Sequence, residues 1–474
     1  MEHLVNKLKF DVVCPDEEMA FGIRQNFAQT FQLQIAEVIE KVGNKYTSLN
    51  EYIRIDKLEV DMGALSQYNL DHDFEKLFFY QFEKEIKQKL SALHPEERKL
   101  STQRSAIELV TYFLKNGVLP WWADETTTDF SEICEQVFSH SPEALKKYLL
   151  AEKTNKNLWL RISFQLNKKL KQIIVDQLYP LSEAVVIMNE MAEKLISEIK
   201  LTNDVLSETV AIQLKAQVAQ INDIVIANAP GLFTIAGNTV EIKNVFINEV
   251  KHIFSLLPVQ MELINLALSK VQNDFIKTPV IISGDKKKST SFQQEEAQPE
   301  KTNDDDPDIE KIVVRHAGII LIAPFFKPFF TKLGLLKENE WVSGEAQVKA
   351  VYLLKYLSNG LQPVFEYELV LEKLLCGIPL SQPLPASPEL AVEDTEEATS
   401  LLLSVIEHWK ILKNTSIEGL RESFLKRDGI ITAKEHHWLL QIERKTMDVL
   451  LDSIPWGIAT ISLAWNDYII YTEW

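Results

Sequence analysis

The chain has 474 residues, 46% of them apolar and 25% charged, and its 68 acidic against 50 basic side chains give a formal net charge of -18. Such a composition fits soluble folded domains, about three by length, and excludes wholesale disorder. The charge excludes nucleic acid or an anionic membrane as a general partner, because neutralising phosphates takes clustered Lys and Arg.

Cys14, Cys134 and Cys376 are too scattered for a disulfide framework or a metal site and point to a reducing compartment. The opening text MEHLVNKLKFDVV lacks the apolar core of a signal peptide. The most apolar stretch, Ala317 to Phe326, is about half a membrane span long, is closed by Lys327-Pro328, and reads as core. These features predict a cytoplasmic protein without membrane insertion.

In chain order, Lys7 to Cys14 and Tyr52 to Met62 alternate apolar with polar residues and read as strands, each followed by a helical stretch. The first ~100 residues therefore predict a β-α-β-α unit. Ser101 to Lys115 reads as a helix stopped by Asn116-Gly117, with Pro120-Trp121-Trp122 beyond it as a loop anchor or a contact surface. From Phe130 to about Gln272 the pattern is helical throughout, cut by Pro142, Pro180, Pro230 and Pro258, without sustained heptads or a repeat.

Ser283 to Asp308 carries one large apolar residue, Phe292, and reads as a solvated acidic, disordered linker. Beyond it, helices are expected near 310–322, 345–358, 365–376, 393–413 and 416–427, with stops at Gly360, Gly377 and Gly429. Trp438 to Glu443, Gly457 to Trp465 and Tyr468 to Trp474 read as strands, the last two a tight hairpin on Asn466-Asp467. The fold class is thus α+β and predominantly α-helical. It has a module at 1–122, a helical region at 123–282, a linker at 283–309, and a helical module at 310–474 ending in a small antiparallel sheet.

No P-loop, dinucleotide fingerprint, nucleophile elbow or zinc helix is present, and no cofactor is implied. Adjacent His436 and His437 point apart, and His316 and His408 read as core or boundary histidines. Glu366, Glu368 and Glu372 have the residue type of a glycosidase pair, but a solvated helix face explains them better. The best-specified local feature is a helical corner at His408–Gly429. Leu402, Val405, Ile406, Trp409 and Leu412 form one stripe, Asn414-Thr415-Ser416 breaks it, and Thr415-x-x-Glu418 has capping-box spacing. The residues alone describe an acidic, helical, non-enzymatic protein.

The phrases AGIILIAPFFKPFFTKLGLL, AVYLLKYLSNG, EYELVLEKLLCGIPL, VIEHWKILKNTSIEGLRESFLKRDG and SIPWGIATISLAW resemble the tape measure proteins of contractile injection systems, as do YIRIDKLEVDMG and FLKNGVLPWW near the start. The resemblance covers roughly 1–122 and 310–474. It implies control of tube and sheath length during particle assembly and anchoring at the baseplate. The implied partners are the inner tube protein, the baseplate spike or hub and the tube terminator, and several copies per particle are allowed. The motif positions that become candidate interface residues are Pro120, Trp121, Trp122, His408, Trp409, Asn414, Thr415, Ser416, Glu418, Gly419 and Arg421.

Overall fold

The computed structural model describes residues 5, 8–26, 32–46, 55, 57–66, 69–91, 95–123, 129–201, 205–255, 258–276, 311–361 and 364–474, so the expected linker at 283–309 lies outside the described residues. The chain forms two compact units, Met1–Thr111 with Trp121–Pro142, and Tyr112–Pro120 with Glu143–Trp474. The fold is predominantly helical with a small amount of sheet, as expected.

In the first unit, helices Gln32–Tyr46 and Phe74–Ser91 pack together. Ile35, Val38 and Val42 meet Phe74, Phe78 and Phe82, whose rings repeat at four-residue spacing and stack along one face. Neither stretch expected as a strand is one among its described residues. In the second, the alternation is still physical. Leu58, Val60 and Met62 lay one side of the segment on this helical core. Period two reports a chain with one buried side, and it makes a strand only when a hydrogen-bonding neighbour is supplied.

In the second unit, helix Tyr179–Lys200 is the axle of the middle region. Leu181, Ala184, Met188, Met191, Leu195 and Ile199 recur at three and four residues along its buried face. Helices Lys168–Gln177, Val205–Val218, Ile221–Ala227, Thr239–Phe254 and Pro258–Ile276 pack around it. Asn155, Asn167 and Asn238 start three of the helices here, each side chain accepting an amide of the first turn.

The C-terminal part has its own core, running from Ile312 to Ile470 and joined by Val118. The helix expected at 310–322 is instead strand β1 (Ile312–Val314) followed by a 3-10 segment, Ala317–Phe325, that is buried as far as Ala323. A run apolar on every side carries no period, so helix and strand read alike there. The remaining strands are β2 (Leu336–Lys337), β3 (Glu340–Trp341), β4 (Gly429–Lys434), β5 (His437–Ile442), β6 (Thr460–Ser462) and β7 (Ile469–Glu473).

β2 and β3 form a small antiparallel pair; the other five strands form one sheet in the order β1-β4-β5-β7-β6. The sheet is mixed, not antiparallel as expected, because β7 returns beside β5 in the same direction after the crossover at 443–468. The terminal hairpin exists, but β6 and β7 are joined by 463–468, not by a two-residue turn. Trp465 and Asn466 spend their side chains elsewhere, donating to the Leu375 and Leu374 carbonyls. Gly429 does not stop a helix but opens β4, where a Cβ would meet Ala317 Cβ at 2.8 Å.

Candidate functional site

On helix Lys156–Gln165, the stripe of buried Leu158, Arg161 and Ile162 with half-buried Gln165 places a cation and an amide among apolar side chains. Arg161 is fully buried, and all five of its N–H donors find acceptors. Nε donates to Glu366 Oε2 at 3.0 Å and Nη2 to Glu366 Oε1 at 3.2 Å, a bidentate pair. Nη2 also reaches the Ser381 carbonyl at 2.9 Å, and Nη1 reaches those of Leu114 and Lys115 at 2.7 and 3.0 Å.

Leu114 and Lys115 lie in the last turn of helix Pro95–Asn116, where carbonyls lack helical partners. Gly117 ends that helix at φ 77°, as the sequence predicts, with its N–H on the Phe113 carbonyl at 2.8 Å. A Cβ there would stand 2.7 Å from both Arg161 Nη2 and Glu366 Oε1. Glycine is required twice, by the backbone and by the ion pair.

From the other side come Glu366 and Lys373, seven residues apart with Leu369 and Val370 between them on the same stripe. Lys373 Nζ donates to Glu366 Oε1 at 2.9 Å and to the Leu380 and Gln382 carbonyls at 2.7 and 2.6 Å, so its three donors are used as well. Burial pushes the Lys373 pKa down to about 8, against the pull of Glu366 in the other direction. Gln165 completes the node: its Oε1 accepts the Glu366 N–H at 3.1 Å and its Nε2 donates to the Leu384 carbonyl at 3.1 Å. With its donors taken up by protein acceptors, this node binds four segments of the chain to one another.

The expectation of a solvated carboxylate face at 366–372 is therefore overturned. Glu366 and Glu372 are buried, and half-buried Glu368 caps its own turn by accepting the Phe365 N–H at 2.8 Å. The readable signal was a charge inside each apolar stripe, Arg161 on one helix and Glu366 with Lys373 on the other. Lengthwise composition cannot show that two such stripes, some 200 positions apart in the chain, face each other.

Another buried cation, Lys355, donates to His316 Nδ1 at 3.1 Å and to the Glu368 carbonyl at 2.7 Å, with Glu372 Oε1 at 4.0 Å. Burial first, and then Lys355 beside it, lower the His316 pKa from 6.5 to about 3. The folded chain thus refuses a proton that the unfolded chain accepts below pH 6.5. Stability falls as pH drops through that window, by about 2 kcal/mol between pH 7 and pH 5. His316 also sits at φ 61°, a left-handed conformation that asparagine tolerates. In His316→Asn, denaturant unfolding at pH 7 and pH 5 is expected to lose that difference; an unchanged difference would assign it elsewhere.

The corner at 408–429 is built differently from its expected form. The first helix ends at His408, not at 413, and Trp409 leads into a 3-10 turn. Trp409 is buried on the Phe424 ring at 4.8 Å and donates to Ser453 Oγ at 2.9 Å. The Thr415 N–H is still bonded to the Leu412 carbonyl at 2.7 Å, so the next helix is capped one residue later. Ser416 Oγ accepts the Gly419 N–H at 3.0 Å, and the Thr415–Glu418 capping box does not form. Glu418 instead takes Lys426, which holds its carboxyl below the usual range.

Arg421 donates to the Leu357 and Tyr356 carbonyls, capping helix Gly344–Asn359 beside Gly360. Trp409 and Arg421 are thus internal supports, while His408, Asn414, Ser416 and Glu418 are exposed. Pro120 is buried, and Trp121 and Trp122 are half-buried.

Compared with known families, residues 2–474 match the family described as contractile injection system tape measure protein. No curated protein and no solved structure matches the chain. No helix among the described residues is long and apolar enough to cross a membrane.

Proposed function

The chain belongs to the contractile injection system tape measure protein family, and from that premise we propose that it sets tube and sheath length during particle assembly. In this reading the chain acts in the cytoplasm during assembly and is then enclosed in the particle. Residues 311–474 anchor it at the baseplate spike or hub, and the middle helices run along the inner tube towards the terminator. The observation that carries the reading is a family match along essentially the whole chain. The exposed corner residues His408, Asn414 and Glu418 and the half-buried Trp121 and Trp122 are the proposed contact positions.

Length arithmetic shapes the proposal. The longest helices described have 22 residues, about 33 Å each, whereas residues 123–309 drawn out as one helix would span about 280 Å and the whole chain roughly 700 Å. A ruler therefore has to exchange packing within the chain for packing against the tube. A second reading, an assembly adaptor without a ruler role, is favoured by one observation: Arg161 ties the middle helices to Glu366.

Cross-linking mass spectrometry of assembled particles separates the two. The ruler reading expects 311–474 linked to spike or hub proteins and 143–276 linked to tube rings well above them. Links from both regions to baseplate proteins alone would leave the adaptor.

A further inference from the structure

Three features of the second unit belong together. First, the apolar core between Ile312 and Ile470 contains no residue of 143–276 among the described residues, and the middle helices pack around Tyr179–Lys200. Second, the hydrogen bonds described between the two sets come from Arg161 and Gln165: to Glu366, Ser381 and Leu384, with the Glu366 N–H returning to Gln165. Third, the joint is ionic and closed to water, with two cations around one carboxylate.

The physical character of a joint decides how it opens. An apolar interface loses its whole stabilisation when it meets water. A buried ionic one behaves otherwise, because each ion regains hydration that burial had removed, and the net cost of separation is far below the sum of its contacts. Two bodies with separate cores and an ionic joint can part while each stays folded.

We propose that the Arg161–Glu366–Lys373 node is a releasable latch that holds helices 156–276 against residues 311–474, and that its opening frees the helical set while both sets keep their cores. The proposal rests on the length-setting reading for its purpose, because freeing these helices is the step a ruler needs. It stands or falls by itself as a statement about the isolated chain. Gly117 is part of the device: as the residue lying against the ion pair, it brings 112–117 into the same closure.

Hydrogen–deuterium exchange of the full chain, followed by mass spectrometry, tests this without any particle. Glu366→Gln keeps the side-chain shape but removes the counter-charge. The expected result is a rise of ten- to a hundredfold in exchange at 112–117, 156–165 and 378–384, with exchange at 188–199, 351–357 and 401–406 unchanged. Gln165→Ala, which removes two bonds of the joint and leaves no buried charge behind, is expected to act in the same places by a smaller factor.

Acceleration in all six segments together would show a plain structural node that opens only when the protein unfolds. No acceleration in either variant would show that the node holds nothing. Both results overturn the latch and say nothing about particle length. Conversely, a chain shown not to set length could still open here.

Discussion

Replacing Glu366 with leucine is expected to cost about 3–5 kcal/mol of stability, the typical loss when one partner of a buried ion pair is removed. Arg161 would keep its carbonyl partners but lose both carboxylate acceptors, and Lys373 would lose its anionic one. Two cations would then sit in a site closed to water.

The double variant Glu366→Leu/Lys373→Met removes one of those cations. Its Leu380 and Gln382 acceptors turn to water more readily than an ammonium can be left unpaired, since Gln382 is exposed. The two substitutions should therefore be non-additive, with the double variant better than the sum of the singles by about 1–3 kcal/mol. Denaturant unfolding of the four proteins of the cycle measures this. Strict additivity would mean that Glu366 and Lys373 do not share a node.

The second large effect is expected at Gly318, where a Cβ would lie 1.7 Å from the Phe424 carbonyl oxygen and 2.9 Å from Leu425 Cα. These are main-chain atoms, so no side chain can swing away. The 3-10 segment Ala317–Phe325 would have to lift from 421–425, and the Ala317 N–H would leave the Arg427 carbonyl, now at 2.7 Å. Overpacking of about 1–3 kcal/mol with a lost hydrogen bond of about 1 kcal/mol gives roughly 2–4 kcal/mol for Gly318→Ala.

Gly231 is the control. It sits in helix Ala229–Thr234 with no atom within 4 Å of the point where a Cβ would stand, so Gly231→Ala should be neutral or stabilising by up to about 1 kcal/mol. Opposite signs in unfolding midpoints are the expected result. A neutral Gly318→Ala would show that the two segments do not pack as described.

What could be read from the sequence was local. Gly117 and Gly360 stop their helices in the left-handed conformation because the residues around them already carry the helical period and its break. Ala317 to Phe325 was legible as core from its apolarity alone, though not as a 3-10 segment. β1 was not legible, since its ladder partner among the described residues is β4, more than a hundred residues away, and three residues carry too little pattern to announce a strand.

The node shows the same limit more clearly. Arg161, Glu366 and Lys373 each put a charge where an apolar residue fits the stripe, and Gly117 reads locally as a helix stop and nothing more. Only the fold reveals that the four residues are one arrangement, in which each accounts for another. The corner at 408–421 fails in a smaller way: Thr415 and Ser416 are both good caps, and the bond from Thr415 to Leu412 decides between them.

The most direct test of length setting is particle length against chain length. Helical segments of 20 and 40 residues inserted between 276 and 311 should lengthen particles in electron micrographs by about 30 and 60 Å, the rise of a helix. Particles of unchanged length with both insertions, at normal yield, would contradict the account and leave the chain an assembly factor that measures nothing.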